Sequence, residues 1–553
     1  MERRRARPPP IGFSALWPSP SGRSSAGAAV LSPTPSSSSG SVARASDSSE
    51  GHMDSSDKGG RRPCQPGLFP KSSSAFTFSA GSRQMSVVAR AHAFATIPDA
   101  IRLAAPASLA SMATPLLGLV DVWALGRSPR PLDIAAVGLG AVIFSLIYWT
   151  FGFIRMSVAG LAAQAHGRGD EAEIRASLAR GMLIGAGVGV MLVLLQWPIG
   201  ELAFRALSIG SDASDATFAA AREYFAARIW GAPFAIGAYA LFGWLSARGR
   251  TDYLMVASLG MTFINIVLDY WFVVGLGMGA GGVALGTVIA ETAGFALAVA
   301  LAGRILSREG GLRAHWSVSG LIEPRALTRT LDVNRDIFIR TLLLALSFAW
   351  FTQRSGAFGD VTLAANQALL QLFLFTGLAL DGTAIAAEAL VGQATGDADP
   401  ARGAKRIDAA IRSTSLPAAA LAVLFAAIYL IFGDLILAAL TESGPIRATA
   451  ARYMPWIAAS PLVLVAAFQL DGIFIGATRA REMRNGMIVC ASFLFPATIY
   501  LADRFGNHGL WAAFSGYFVL RGLTLAVYLP RIRRASTTWP RRRPRRSQNR
   551  RPS

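Results

Sequence analysis

The stretch PLVLVAAFQLDGIFIGA, residues 461–477, is apolar except for Gln469 and Asp471, and it decides the fold class. The pattern recurs three more times, at Asp121 after 109–120, at Asp269 within 263–275 and at Asp381 after 369–380. A charged side chain at the bilayer centre costs about 2.5–3.5 kcal/mol on insertion scales. Four chance occurrences are implausible, so the pattern predicts a helical membrane protein whose carboxylates bind cations, protons or both.

Composition and span length support this fold class. The chain of 553 residues is 52% hydrophobic and 16% charged, whereas a soluble domain carries about 25% charged residues. A helix needs about 20 apolar residues to cross a bilayer. By this rule we predict an all-α integral membrane protein with twelve spans, at 98–124, 133–163, 178–200, 222–247, 253–275, 281–303, 336–356, 361–392, 413–433, 446–477, 483–502 and 508–529.

Basic side chains are distributed unequally between the two sets of loops. One set is rich in them, at residues 168–180, 248–250, 304–329, 402–412 and 479–484. The opposite set holds only Arg127, Arg130, Arg205, Arg354, Arg447 and Arg504. Because Lys and Arg concentrate in cytoplasmic loops, we expect both termini in the cytoplasm. The expected location is a bacterial inner membrane, with an organelle membrane as the alternative.

The two ends of the chain differ from its apolar body. Residues 1–95 are rich in Ser, Pro, Gly and Arg, which predicts a disordered extension. The same segment is compatible with a transit peptide, or with translation that begins at Met53 or Met85. Residues 530–553 form a basic tail, with ten arginines and no acid from Arg531 onward. We expect this tail to contact anionic lipid headgroups rather than nucleic acid.

The chain consists of two similar halves. The N-terminal lobe, 96–305, and the C-terminal lobe, 333–529, are separated by a polar linker at 306–332. AAQAHGRGD, residues 162–170, follows the second span, and VGQATGD, residues 391–397, follows the eighth. Six spans in each half predict parallel repeats related by an axis along the membrane normal. Substrate sites in such folds lie between the halves, which rock to give alternating access.

Longer motifs identify a family. The chain resembles the multidrug and toxic compound extrusion (MATE) family, and within it the DinF-like branch. The resemblance covers about 96–529 and rests on PLLGLVD (115–121), RMSVAGLAAQ (155–164), NIVLD (265–269), NRDI (334–337), ALDG (379–382) and LDGIFIGATRAREMRN (470–485). It implies a secondary active transporter that exchanges protons, or sodium, for organic and mostly cationic compounds. The alternative is a flippase for lipid-linked precursors or other amphiphiles.

The first candidate site belongs to the N-terminal lobe. Asn265 and Asp269 are four residues apart and share one helix face. The resemblance places both near Asp121, in a cluster that binds the coupling ion. Because burial favours the protonated form of a carboxyl group, we expect Asp121 to carry the proton with Asp269 as its partner. Binding of sodium by the same cluster is an alternative, and so is a purely structural role for the carboxylate.

The C-terminal lobe offers a second set of candidates. Asp381, Glu388 and Asp471 are the candidate coupling or substrate groups, and an ion pair of Asp471 with Arg340 is the structural alternative. Gln367 and Gln371 share a face of the eighth span. They could orient a substrate or form interhelical hydrogen bonds.

Motifs of several other classes of protein are missing from the sequence. No Gly-Lys pair of a nucleotide-binding loop occurs, and neither a nucleophile motif nor histidines at metal-ligand spacing are found. We therefore expect a transporter rather than an enzyme. It would need no cofactor and would run on an ion gradient. Its expected partners are small organic substrates and membrane lipids, and we expect a monomer.

Overall fold

Helices dominate the computed structural model, which describes residues 94–126, 132–208, 214–311 and 323–535. The first half contains α1 (Ile97–Leu125), α2 (Leu132–Phe151), α3 (Phe153–Arg168), α4 (Glu171–Leu194), α5 (Gln196–Ser208), α6 (Asp215–Arg228), α7 (Ala232–Ala247), α8 (Thr251–Asp269) and α9 (Gly279–Arg308). The second half contains α10 (Pro324–Gly356), α11 (Asp360–Thr395), α12 (Pro400–Leu440), α13 (Gly444–Gly476) and α14 (Ala480–Ala535). The predicted N-terminal extension, up to residue 93, and the tail beyond 535 lie outside the described residues.

The number of membrane-spanning helices fits the predicted twelve. Ten segments of the described chain are long and apolar enough to cross a membrane. The tenth contains α14, which is interrupted at Gly506, a residue with φ 58° and ψ −141°. After this break the chain turns back. Gly509 then lies so close to the backbone of Leu501 that a Cβ on Gly509 would collide with it. Both arms of α14 and the 29-residue α1, which is not among the ten, bring the total to twelve. The predicted all-α membrane fold is confirmed.

Three spans contain breaks that apolar runs alone do not reveal. The second span, Leu132–Arg168, is divided at Gly152 into α2 and α3. The fourth, Asp215–Ala247, is divided by a 3₁₀ turn at Ile229–Gly231. The third was predicted to reach residue 200, but α4 ends at Leu194 and α5 follows as a separate helix. Pro198 lies in the first turn of α5, the part of a helix that tolerates proline.

Each half has its own interior. In the first half Trp244, Tyr224 and Phe144 are completely or almost completely buried. In the second half the ring of Phe351 lies 4.5 Å from that of Phe514 and 4.8 Å from that of Trp511, measured between centroids. Because lipid is as apolar as these side chains, tight van der Waals packing, rather than exclusion of water, holds each half together.

The two halves meet along a seam at one end of the helices, here called the basic end because its loops carry Arg168, Arg248, Arg250 and Arg479. Gln164 donates a hydrogen bond to the carbonyl of Gly476 (3.1 Å), and Gln393 donates one to the carbonyl of Ala247 (3.0 Å). These carbonyls belong to the last residues of α13 and α7, where helices leave such groups unpaired. Each glutamine thus caps a helix of the opposite half.

Glycines bring the backbones together at the same seam. A Cβ on Gly167 would collide with the carbonyl of Gln393, and a Cβ on Gly396 would collide with that of Gln164. Both pairs come from the repeated motifs after the second and eighth spans. The repeat seen in the sequence therefore builds a seam with approximate two-fold symmetry.

Replacing Gly396 by alanine should open this seam, since the added methyl group overlaps backbone that cannot rotate away. We expect a cost of about 1–3 kcal/mol to the closed arrangement. The measurement is the distance distribution between spin labels at the exposed positions Arg168 and Ala398, in a chain without Cys64 and Cys490. Longer distances should gain population in Gly396→Ala. Gly187→Ala is the matched control, because nothing lies within 4 Å of its added Cβ, and unchanged distances in both variants would contradict the account.

Candidate functional site

Three side chains of the first candidate site come from the ends of two helices. Asp121 lies in the last turns of α1, after Pro115, whose ring removes a backbone hydrogen bond within that helix. Asp269 ends α8, and the chain continues as a π-helical turn, Tyr270–Gly275. Asn265 lies one turn earlier on the same face, and both Asn265 and Asp269 are completely buried. π-Helical turns are frequent at functional sites.

The cluster of Asp121, Asn265 and Asp269 has more hydrogen-bond acceptors than donors. Asp121 Oδ1, both carboxylate oxygens of Asp269 and Asn265 Oδ1 are buried without a hydrogen-bond partner among the described residues. The amide of Asn265 donates to Thr287 at 3.3 Å and also lies within reach of the Asp269 carboxylate. The carboxyl groups of Asp121 and Asp269 are within reach of a shared hydrogen bond. Two adjacent buried carboxylates with so few donors are costly when both are ionised, and a proton or a cation between them lowers that cost.

A buried ion pair lies beside this cluster. Arg228 donates to Glu291 at 3.1 Å, and the hydroxyl group of Tyr148 donates to the same carboxylate at 3.4 Å. The charge of Arg228 acts on both Asp121 and Asp269. Glu291 was not among the residues predicted from the sequence, although it interrupts the apolar span 281–303 just as the aspartates interrupt theirs. The same rule, applied to every carboxylate, would have found it.

A second cluster joins the two halves. Arg155 of α3 lies 3.4 Å from Glu388 of α11, and the charge of Asp381 also acts on Arg155. Ser111 of α1 donates to Asp381 at 3.2 Å. Asp381 and Glu388 therefore lie at the interface between the halves, where the parallel repeats predict a substrate path.

A third cluster lies within the second half. One carboxylate oxygen of Asp471 accepts hydrogen bonds from both Arg340 and Arg521, and all three residues are buried. The proposed partner Arg340 is thus in contact with Asp471. Arg521 was not selected from the sequence, although it is an arginine inside the apolar span 508–529. The rings of Phe468 and Phe518 each lie 5.8 Å from its guanidinium group.

The two glutamines lie apart from any network of this kind. Gln367 donates to Thr352 at 3.1 Å, and Gln371 is exposed. Their neighbour Asn366 is completely buried and exchanges hydrogen bonds of 2.7 and 2.9 Å with Asn507. The eighth span therefore begins with interhelical hydrogen bonds of the kind that fix helix packing.

No group of three or more His, Cys, Asp or Glu residues that could hold a metal ion occurs within the described ranges. The acceptor atoms of the first cluster are all oxygens, which are the ligands that hard cations prefer.

Comparison with known proteins shows the family to which the chain belongs. The MatE family model matches residues 106–271 and 337–500, which is more than half of the chain. The chain belongs to the MATE family. Members of this family are transporters. The family resemblance inferred from the sequence motifs is confirmed.

Relatives of this MATE chain include curated and solved proteins. It is 37% identical over 436 residues to DNA damage-inducible protein F of Escherichia coli (strain K12), covering 77% of this chain and 90% of that protein. It is 28% identical over 323 residues to the probable multidrug resistance protein NorM of Synechococcus sp., covering 56% of this chain and 66% of that protein. The MATE transporter VcmN of Vibrio cholerae, in its bent form, superposes with a TM-score of 0.68 at 17% identity, covering 82% and 99%.

Proposed function

We propose that this MATE chain is a secondary active multidrug efflux transporter that exchanges protons for organic, mostly cationic compounds. Its expected location is a bacterial inner membrane, with both termini in the cytoplasm. The observation that carries the proposal is the pair Asp121 and Asp269. Asp121 Oδ1 and both carboxylate oxygens of Asp269 are buried without a hydrogen-bond partner among the described residues. Such a pair is costly unless it holds a cation or proton, so its occupancy can be coupled to conformation.

A proton fits the pair better than sodium does. One proton placed between the two carboxyl groups turns two acceptors into a donor and an acceptor, which satisfies both groups at once. Arg228, a permanent cation, is already close to them, and it would oppose a further metal cation by charge repulsion. Sodium remains the second choice, since oxygen atoms serve either ion.

The closed seam at the basic end supports an outward-facing state. The hydrogen bonds of Gln164 and Gln393 join the halves there. If the basic loops face the cytoplasm, protons and substrate exchange with the outside in this state. Opening of the seam would then release protons inside and admit the compound to be exported.

The charge of the three clusters favours cationic substrates. They hold six carboxylates and four guanidinium groups, a formal excess of two negative charges, from Asp121, Asp269, Glu291, Asp381, Glu388 and Asp471 against Arg155, Arg228, Arg340 and Arg521. Desolvated carboxylates stabilise a positively charged substrate electrostatically. The third cluster alone is net positive, which is the observation that would favour a flippase for phosphate-bearing amphiphiles.

The test is transport by purified protein in liposomes. We expect ethidium flux when only a pH gradient is imposed in sodium-free buffer, and no flux when only a sodium gradient is imposed at equal pH. Flux driven by sodium alone would mean that the chain is a transporter whose coupling ion is sodium instead of the proton. Absence of any gradient-driven flux of organic cations, together with transfer of a fluorescent phospholipid, would replace efflux by the flippase function.

A further inference from the structure

Arg228 occupies an unusual position in the first half. It is the last residue of α6, immediately before the 3₁₀ turn Ile229–Gly231 that interrupts the fourth span. Its guanidinium group lies over the rings of Phe144 and Tyr148, 5.0 and 5.8 Å from their centroids. Aromatic faces attract a cation without fixing its direction as a hydrogen bond does. Two aromatic rings and one carboxylate thus surround the group.

Only part of its hydrogen-bonding capacity is used. Nη2 donates to Glu291, whereas Nε and Nη1 are buried without a hydrogen-bond partner among the described residues. A buried guanidinium group with unused donors is costly. Glu291 alone therefore does not satisfy Arg228.

The missing acceptors are present in the neighbouring cluster. Asp121 Oδ1 and both oxygens of Asp269 are buried and have no donor in the part of the chain that the structure describes. The charge of Arg228 acts on both aspartates, so the two sets of unsatisfied atoms are close enough to interact electrostatically. Unused donors of Arg228 and unused acceptors of the aspartates thus belong to one electrostatically coupled group.

We propose that Arg228 is the internal counter-cation of the ion-coupling site. It is held by Glu291 while the pair Asp121 and Asp269 carries a proton, and it turns to the aspartates when the proton leaves. The inference rests on the proposed function, because it assigns the ion-coupling role to this pair. The other titratable groups that interact with Arg228 are Tyr148 and Tyr224. Tyr239 interacts with Glu291 and with Arg155.

The guanidinium group and the proton compete for the same oxygens. With the pair fully ionised, three carboxylates face one arginine, and Arg228 lowers the cost of this excess negative charge. One proton removes part of the excess and frees Arg228 to return to Glu291. Arginine stays charged throughout, so it responds to the proton by moving rather than by titrating. Glu291 is a positioning residue, since it keeps Arg228 away from the aspartates.

The test measures protonation of the aspartate pair directly, without transport. The probe is the infrared band of protonated carboxyl groups in full-length protein in lipid. The spectrum of Asp121→Asn is subtracted from that of wild type, and the intensity of the remaining band is followed as the pH is changed. Glu291→Gln frees Arg228 for the aspartates and should move the midpoint to lower pH. Arg228→Gln removes the counter-cation and should move it to higher pH. An opposite charge within about 4–6 Å moves the pKa of a carboxyl group by about one to three units, and we expect midpoint shifts of this size.

Further variants separate this role from a structural one. The double variant Arg228→Gln/Glu291→Gln leaves no unpaired charge, so it folds more readily, and its midpoint should still lie above that of wild type. Arg228→Lys, which keeps the charge, should return the midpoint toward wild type. Glu201→Gln, in the exposed pair of Arg205 with Glu201 at 2.7 Å, is the control and should cause no shift.

Two results would overturn the inference. Unchanged midpoints in all Arg228 and Glu291 variants, with folding restored in the double variant, would make the pair purely structural. Shifts in the same direction for Arg228→Gln and Glu291→Gln would exclude competition. If the midpoints of Arg228→Gln and Glu291→Gln shift in opposite directions but the protein shows no proton-driven flux, Arg228 is still the counter-cation of the aspartate pair, and the proposed function is rejected.

Discussion

Replacing Asp121 by asparagine should reduce pH-gradient-driven ethidium efflux from proteoliposomes to the background of protein-free vesicles. The amide has nearly the shape of the carboxyl group but cannot take up or release the proton that links the gradient to the conformational change. Asp269→Asn should have the same effect, because the two carboxyl groups are close enough to share one proton. The measurement is the initial rate of dye movement after the gradient is imposed.

The matched control is Asp434→Asn. Asp434 is an exposed carboxylate within the apolar helix α12, away from the three clusters. Its substitution should leave the rate unchanged, which would show that the effect belongs to the site and not to loss of an intramembrane charge in general. Wild-type rates in Asp121→Asn, at equal amounts of folded protein, would remove Asp121 from the coupling path.

Replacing Asp471 by alanine should destabilise the protein more than any other single substitution in the second half. It leaves Arg340 and Arg521 buried next to each other, without the carboxylate that both contact. Breaking a buried ion pair by removing one partner costs about 3–5 kcal/mol. The expected result is a large loss of folded, detergent-soluble protein and a lower thermal unfolding temperature.

Two comparisons isolate the cause. The charge-free triple variant Arg340→Gln/Asp471→Asn/Arg521→Gln should recover most of the lost stability, because no unpaired charge remains. Asp503→Ala removes the exposed partner of Arg354, 3.8 Å away, and should cost no more than about 1 kcal/mol. A single variant Asp471→Ala as stable as wild type would show that the two arginines do not depend on this carboxylate.

The fold and part of the site could be predicted because each of these signals is local. An aspartate inside an apolar span is anomalous on its own, and the spacing of Asn265 and Asp269 puts them on one helix face. Contacts between distant parts of the chain leave no such signal. Arg155 and Glu388 are 233 positions apart, and nothing near either residue indicates the other.

The repeated glutamine motif illustrates the same limit. The sequence shows that Gln164 and Gln393 occupy equivalent places, but only the folded chain shows that each caps a helix of the opposite half. Helix breaks at Gly152 and Ile229–Gly231 were also missed, because both lie within continuous apolar runs. The second of these breaks is what positions Arg228.

The most direct test of the central claim is whether substrate binding releases protons. Ethidium is added to detergent-solubilised protein in weakly buffered, sodium-free solution containing a pH-sensitive dye, with wild type and Asp121→Asn compared at equal ethidium occupancy. We predict release of about one proton per bound ethidium by wild type, since one charge replaces another in the same interior, and none by Asp121→Asn. Binding of ethidium to wild type without proton release would contradict proton exchange at Asp121 and Asp269.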